Sequence, residues 1–251
     1  MRFKGKALFA TGAGSGIAAA TVRRFSADGG RVAVVDLDED RAAGVAAELS
    51  GSIALGCDVS DEHAVEQALA QASDQLGRID CVLNAAGHAA FASLEQFELA
   101  DWNRMLAVHL TGTFVVCKAA LPHLRAVGGG SIVNVSSSVA LIGRSHLGAY
   151  SAAKGAVLAF SRQLAVDVAA DNVRVNAIAP GAVRTGLTEP RWVERGGGDY
   201  SKGAAAAVSD TIQKRVAEPS ELAAPICFLF SDDASFMTGS LLVADGGQTA
   251  I

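Results

Sequence analysis

The feature that most restricts the fold is an alternation. Short, nearly continuous apolar runs at 6–11, 31–36, 52–58, 81–84, 130–136, 173–179 and 241–244 are separated by longer stretches. In those stretches, 17–27, 62–76, 99–124, 151–169 and 219–230, apolar residues recur at helical intervals. A strand buried on both faces reads as continuously apolar, and Val32-Ala33-Val34-Val35 and Ile132-Val133-Asn134-Val135 nearly do. Strands alternating with helices imply βαβ crossovers. The prediction is therefore an α/β chain with one doubly wound domain, a seven-stranded parallel sheet covered by helices on both faces. No linker, repeat or second composition regime divides the 251 residues. One segment breaks the pattern. Residues 185–214 hold three consecutive glycines and the run Ala204-Ala205-Ala206-Ala207, and read either as a substrate lid or as a variable surface insertion, with the lid favoured.

Composition removes several function classes. A net charge of −5 argues against a phosphate-neutralising surface, so nucleic acid is not an expected partner. Cys57, Cys81, Cys117 and Cys227 are widely spaced with no C-x-x-C pair, which predicts neither a metal site nor a disulfide framework but free thiols in a reducing cytoplasm. The apolar run behind the basic residues at 1–6 ends at Thr11, too short for a signal peptide. No run of about 18 uninterrupted apolar residues appears, so no membrane span is expected.

The first strand is followed by Thr11-Gly12-Ala13-Gly14-Ser15-Gly16-Ile17-Ala18 and then a helix. Glycines let the main chain turn tightly and approach a pyrophosphate, whose charge is met by free N–H groups at the helix's positive end. The strict G-x-G-x-x-G spacing is not satisfied, because Ile17 stands at its last position. A merely tight strand-to-helix turn is the alternative. Asp36 ends the second strand, where a carboxylate accepts hydrogen bonds from the adenosine ribose hydroxyls and repels a 2′-phosphate. Ser15 and Leu37, flanking positions for a phosphate-attracting cation, are neutral, so the expected cofactor is NAD rather than NADP. Asp36 also opens an acidic run with Asp38, Glu39 and Asp40 that suits a helix start.

From about Gly5 to Gly247 the pattern resembles the short-chain dehydrogenase/reductase family. Thr11 to Ala18 is similar to its glycine-rich loop and Asn84-Ala85-Ala86-Gly87 to its N-A-G segment. Ser137, Tyr150 and Lys154 match its catalytic set, and Pro180-Gly181 its nicotinamide-side turn. The resemblance implies a Rossmann-type fold and hydride transfer between nicotinamide and a secondary alcohol or ketone. It implies that Asp58 and Val59 contact adenine, that Asn84 and Gly87 lie along the adenosine side, and that Val183 and Thr185 reach the carboxamide. It implies a homotetramer built on the helices at 99–124 and 151–169. It also brings His88, Arg144, His146, Leu147, Trp192 and Tyr200 near the substrate pocket, with Arg144 or His146 meeting a carboxylate or hydroxyl.

Tyr150 and Lys154 are four apart, which on a helix sets both side chains on one face. A phenol needs help to exchange a proton at neutral pH, since its ordinary pKa is near 10. A lysine ammonium about 4 Å away supplies roughly 4 kcal/mol at an effective dielectric near 20, up to about three pKa units. Ser137 would hydrogen-bond the substrate oxygen; Ser136 and Ser138 adjoin it, and only the family register singles out the middle one. His109 stands where the family usually carries asparagine, a residue that kinks its helix and positions a proton-relay water. Imidazole there reads either as a relay or as a packing substitute. A non-catalytic NAD(H) sensor or scaffold is the rival reading, and the intact Ser137, Tyr150 and Lys154 speak against it.

Overall fold

The computed structural model describes residues 1–251 as one twisted parallel sheet between two helical layers. The strands are β1 (Ala7–Thr11), β2 (Arg31–Asp36), β3 (Ile53–Gly56), β4 (Cys81–Asn84), β5 (Gly130–Val135), β6 (Val173–Pro180) and β7 (Leu241–Ala244), in the order β3-β2-β1-β4-β5-β6-β7. All seven expected strands form. The third is shorter than the apolar run 52–58, because Cys57 and Asp58 already turn into the next helix. The helices are α1 (Gly16–Ala27), α2 (Glu39–Ala46), α3 (Glu62–Leu76), α4 (Leu99–Leu106), α5 (Gly112–Ala126), α6 (Gly148–Asp167), α7 (Glu189–Arg195), α8 (Tyr200–Ala207) and α9 (Pro219–Phe230).

Each central strand feeds two cores, which is why it reads as apolar throughout. In β1, Leu8 and Ala10 join one cluster with Phe25, Val34, Leu83 and Phe230, while Ala7 and Phe9 join the other with Val35, Leu69, Val82 and Val116. Phe25 stacks on Phe3 at 4.1 Å and meets Phe230 edge-on at 6.1 Å, tying α1 to α9. After β3 the chain crosses back to the other side of β1 to form β4. Between β1 and β4 the crossovers diverge, leaving a crevice at the carboxyl ends of the strands.

The predicted helix at 99–124 is one continuous rod, Leu99–Ala126, but Ala107–Thr111 winds it as a π-turn between α4 and α5. By length and composition part of the rod is apolar enough to cross a membrane, although Asp101, Arg104, His109 and Lys118 interrupt it. Its apolar residues Val115, Val116, Cys117, Ala120 and Leu124 are buried in the sheet's core. Residues 185–214, the break in the sequence pattern, contain α7 and α8 joined through Gly196, Gly197 and Gly198, of which the last two have φ +64 and +94. The two helices touch so closely that a Cβ on Gly203 would lie 1.7 Å from the Trp192 carbonyl oxygen.

Candidate active site

The glycine loop is held by its neighbours before any ligand is considered. Thr11 Oγ1 donates to the Leu83 carbonyl at 3.2 Å and accepts from the Ala85 and Ala86 amides, fixing the end of β1 to the turn after β4. Gly12, at φ +64, faces that turn so closely that a Cβ would meet the Ala86 backbone at 2.8 Å. The Gly14 amide donates to Asp36 Oδ2 at 3.0 Å, and the Asp38 amide to Oδ1 at 3.1 Å. Ser15 opens α1 with no side-chain cap, and the first turn carries no acid, so its N–H groups and dipole face the crevice uncompensated.

These groups border a cavity of about 430 Å³. Gly12, Ser15, Gly16 and Ile17 line its phosphate side, and Asp36, Leu37, Asp58 and Val59 its far end. Ala85, Gly87, Thr185, Tyr150, Lys154 and His109 close the rest. The residues fit a dinucleotide: a glycine-rich loop, an uncapped helix start for the pyrophosphate and a carboxylate at the ribose end. Several expected contacts lie elsewhere. The Asn84 side chain points into the sheet, donating to Asn134 Oδ1 at 2.8 Å and toward Cys117 Sγ, with Asn134 donating on to Ser161, because β4 is buried on both faces. Pro180 ends β6, Val183 is buried beside Ala217, and Gly181 lines the neighbouring cavity against the backbone of Asp245. Asp58 accepts from the Ser60 hydroxyl and amide, which hold its carboxyl below the usual range. Arg41 and Arg104 line the cavity and were not singled out from the sequence; Arg41 is paired at 3.0 Å with Asp38, two residues beyond Asp36.

Tyr150 sits in the first turn of α6, and Lys154, one turn on, shares its face. The Lys154 ammonium donates to the Val135 carbonyl at 2.7 Å and lies 5.8 Å from the Tyr150 ring centroid. Burial pulls its pKa down to about 8. Burial also pushes the Tyr150 phenol up to about 12, against an opposing hydrogen bond from Ser137. The expected acidification of the phenol by lysine is therefore corrected. The cation is tethered to the end of β5 beside the ring, and burial of the phenol outweighs it. Ser137 follows β5, with its hydroxyl accepting weakly from the Val139 amide at 3.4 Å. Of its neighbours, Ser136 donates to the Lys154 carbonyl and Ser138 to Gln248 Oε1, so only the middle hydroxyl is left near the phenol.

His109 occupies the π-turn of the rod. Its ring is 2% exposed and meets Tyr150 edge-on at 5.3 Å. Nε2 lies 2.8 Å from the His88 carbonyl oxygen and 3.2 Å from the His88 amide, while Nδ1 is buried without a partner. Burial, with the Lys154 charge adding to it, drives the imidazole pKa down to about 2. The ring is neutral across the physiological range.

A second cavity, of about 500 Å³, adjoins the first, and Tyr150 and Leu187 line both. Ser137, Arg144, His146, Leu147, Trp192 and Gln248 also face it. Arg144 is bound by both Asp210 oxygens at 2.6 Å, so it is not free to take a substrate carboxylate as expected. Tyr200 packs against Trp192 behind the wall, at 6.0 Å. Gln248, buried in the tail, gave no sequence signal, since nothing local marks a contact 110 residues from Ser138.

A family profile described as enoyl-(acyl carrier protein) reductase matches residues 12–249. The chain is 38% identical to D-threitol dehydrogenase of Mycolicibacterium smegmatis, across 99% of this chain and 94% of that protein. It is 39% identical to meso-2,3-butanediol dehydrogenase of Serratia marcescens, across 100% and 97%. Among solved structures it is similar to an NAD+-bound xylitol dehydrogenase, with a TM-score of 0.93, 31% identity and coverage of 98% of this chain and 100% of that one.

Proposed function

The chain belongs to the short-chain dehydrogenase/reductase family, and we propose that Tyr150 is the group through which it exchanges a proton with its substrate. It is an NAD-dependent oxidoreductase that moves a hydride between nicotinamide and a small-molecule secondary alcohol or ketone. Bound NAD supplies the hydride acceptor or donor. The chain's own residues supply the rest. In the reductive direction the phenol, protonated at neutral pH, delivers its proton to the carbonyl oxygen and is left as phenolate; in the oxidative direction the phenolate takes the alcohol's proton. Ser137 holds that oxygen by a hydrogen bond, and Lys154, predominantly cationic below pH 8, lends positive charge beside the ring. The observation that carries this reading is that Tyr150 lines both cavities, the one that fits the dinucleotide and the one left for the alcohol.

In this reading Gly12, Gly14, Ser15, Gly16 and Ile17 receive the pyrophosphate and Asp36 the adenosine ribose, with Leu37, Asp58 and Val59 beside the adenine. Ala85, Gly87 and Thr185 flank the rest of the dinucleotide, and Asn84, Pro180, Gly181 and Val183 shape the turns that carry it. His109 is a positioning residue rather than a relay, supported by its engaged Nε2 and its neutral ring. Residues 185–214 act as a lid, supported by Leu187, which touches both cavities. A homotetramer through α4, α5 and α6 is supported by exposed Leu99, Phe114 and Val166 on those helices. A cytoplasmic location is supported by four cysteines that are all free and buried. Replacing Tyr150 with Phe tests the central assignment: turnover of 2,3-butanediol or a better alcohol should fall by about 10²- to 10⁴-fold while NAD still binds. Undiminished turnover would overturn it.

A further inference from the structure

The second cavity carries more positive charge than its own acids neutralise. Three guanidinium groups line it, Arg144, Arg191 and Arg195, against one carboxylate, Glu194. Arg144 is consumed by Asp210 outside the lining, and Arg191 is paired with Glu194 at 2.8 Å. Arg195 has no ion-pair or hydrogen-bond partner. Thr188, Arg191 and Arg195 are spaced three and four apart, so they share one face of α7 along the cavity, and Trp192, buried beside them in the same wall, anchors the helix. Arg191 is also held over the Phe91 ring at 4.8 Å, which bridges the lid to the loop after β4 and fixes the guanidinium at the cavity wall. Its partner Glu194 is 71% exposed, so this pair is mostly solvated and readily exchanged for a better anion.

We infer that the substrate carries an anionic group, a carboxylate or sulfonate, as well as its reacting secondary hydroxyl, and that Arg191 and Arg195 receive it. This rests on the reading that the alcohol reacts at Tyr150. Guanidinium forks match the planar oxygens of a carboxylate, and two of them one helical turn apart favour an anion over the hydroxyls of a neutral polyol. Arg144 takes a different role: with Asp210 and the Ser138–Gln248 hydrogen bond it braces the wall near the catalytic serine and is not part of the anion site.

The test uses matched pairs: 3-hydroxybutyrate against 3-hydroxybutyramide, and 4-hydroxycyclohexanecarboxylate against its carboxamide, with 2,3-butanediol as a neutral diol. NAD reduction by the intact protein is followed at low and high salt. At least one acid should exceed its amide about tenfold or more in kcat/KM, and that ratio should shrink with added salt. In R191Q/R195Q the ratio should fall toward one, with R191K/R195K restoring part of it. NAD affinity measured without alcohol reports whether the variants remain folded. The inference is overturned if the amides or butanediol are preferred, or if an acid's advantage survives the double glutamine variant. Those results leave the assignment of Tyr150 standing. Conversely, an acid preference that persists while Tyr150→Phe keeps full turnover removes the catalytic assignment and not the anion site.

Discussion

Replacing Gly87 with alanine tests the geometry that sets the catalytic tyrosine. Gly87 is not in a left-handed conformation, so alanine costs nothing in backbone strain there. The cost is contact: the added methyl would sit 2.2 Å from His109 Cε1, 2.8 Å from Nδ1 and 3.1 Å from Nε2. Carbon atoms rest about 3.5–4.0 Å apart, so the ring must move by more than an ångström. His109 is 2% exposed, and moving it breaks the 2.8 Å contact with the His88 carbonyl. Overpacking costs about 1–3 kcal/mol, and stranding a buried carbonyl about 1–3 kcal/mol more. The sum, roughly 2–6 kcal/mol, lowers Tm by roughly 4–24 °C for a chain of this length. Urea unfolding and thermal melts of Gly87→Ala, His109→Ala and the double variant measure the coupling. With the imidazole gone the methyl has room, so the double variant should be more stable than the sum of the singles predicts by at least about 1.5 kcal/mol. Additivity within about 0.5 kcal/mol would refute the packing argument.

His109 also sets an acid limit on stability. Its folded pKa, about 2, lies below its unfolded value, so the unfolded chain binds a proton that the native chain refuses as pH falls below about 6.5. Stability is therefore lost toward acid, by up to about 1.4 kcal/mol per pH unit from this group, and His109→Asn should flatten that slope in urea midpoints measured between pH 4 and 6.5. Asp36→Ser should reduce kcat/KM for NAD about tenfold or more and narrow the preference over NADP; an unaltered cofactor ratio in initial rates would sink the ribose assignment. Gly203→Ala should pry α8 from α7 and raise KM for the alcohol more than KM for NAD, and parallel changes in both would count against a lid that serves the substrate side.

The strands were legible because burial on both faces leaves an unbroken apolar signature, and α3 and α9 because their apolar spacing and Asp61 or Pro219 mark their starts. The stretches 17–27, 99–124 and 151–169 likewise announced α1, the α4–α5 rod and α6, whereas three short helices were not legible. α2 is short and begins in the acidic run after Asp36, where Asp38 caps it by accepting from the Arg41 amide. α7 and α8 are short and sit around three glycines, and contacts distant from any sequence period, between the two helices and from Arg191 to Phe91, hold them. The π-turn at His109 has no sequence period to reveal it. Within the site, Tyr150 and Lys154 lie where their spacing puts them, but spacing says nothing about where a lysine's amine is tethered, and the Val135 carbonyl decided that. For Asn84 likewise, the position at a strand end was visible and the direction of its side chain, toward Asn134 and Cys117, was not.

The hydrogen bond from Ser138 to Gln248 spans 110 residues, and those holding Ala85 and Ala86 to Thr11 span more than 70. Such closures form only after strands distant along the chain have been laid side by side, and topologies of this sort fold slowly. Chemistry is thus a late arrival during folding. An intermediate in which single βαβ units have formed has helices and strands in abundance, yet no place where a dinucleotide and an alcohol can meet.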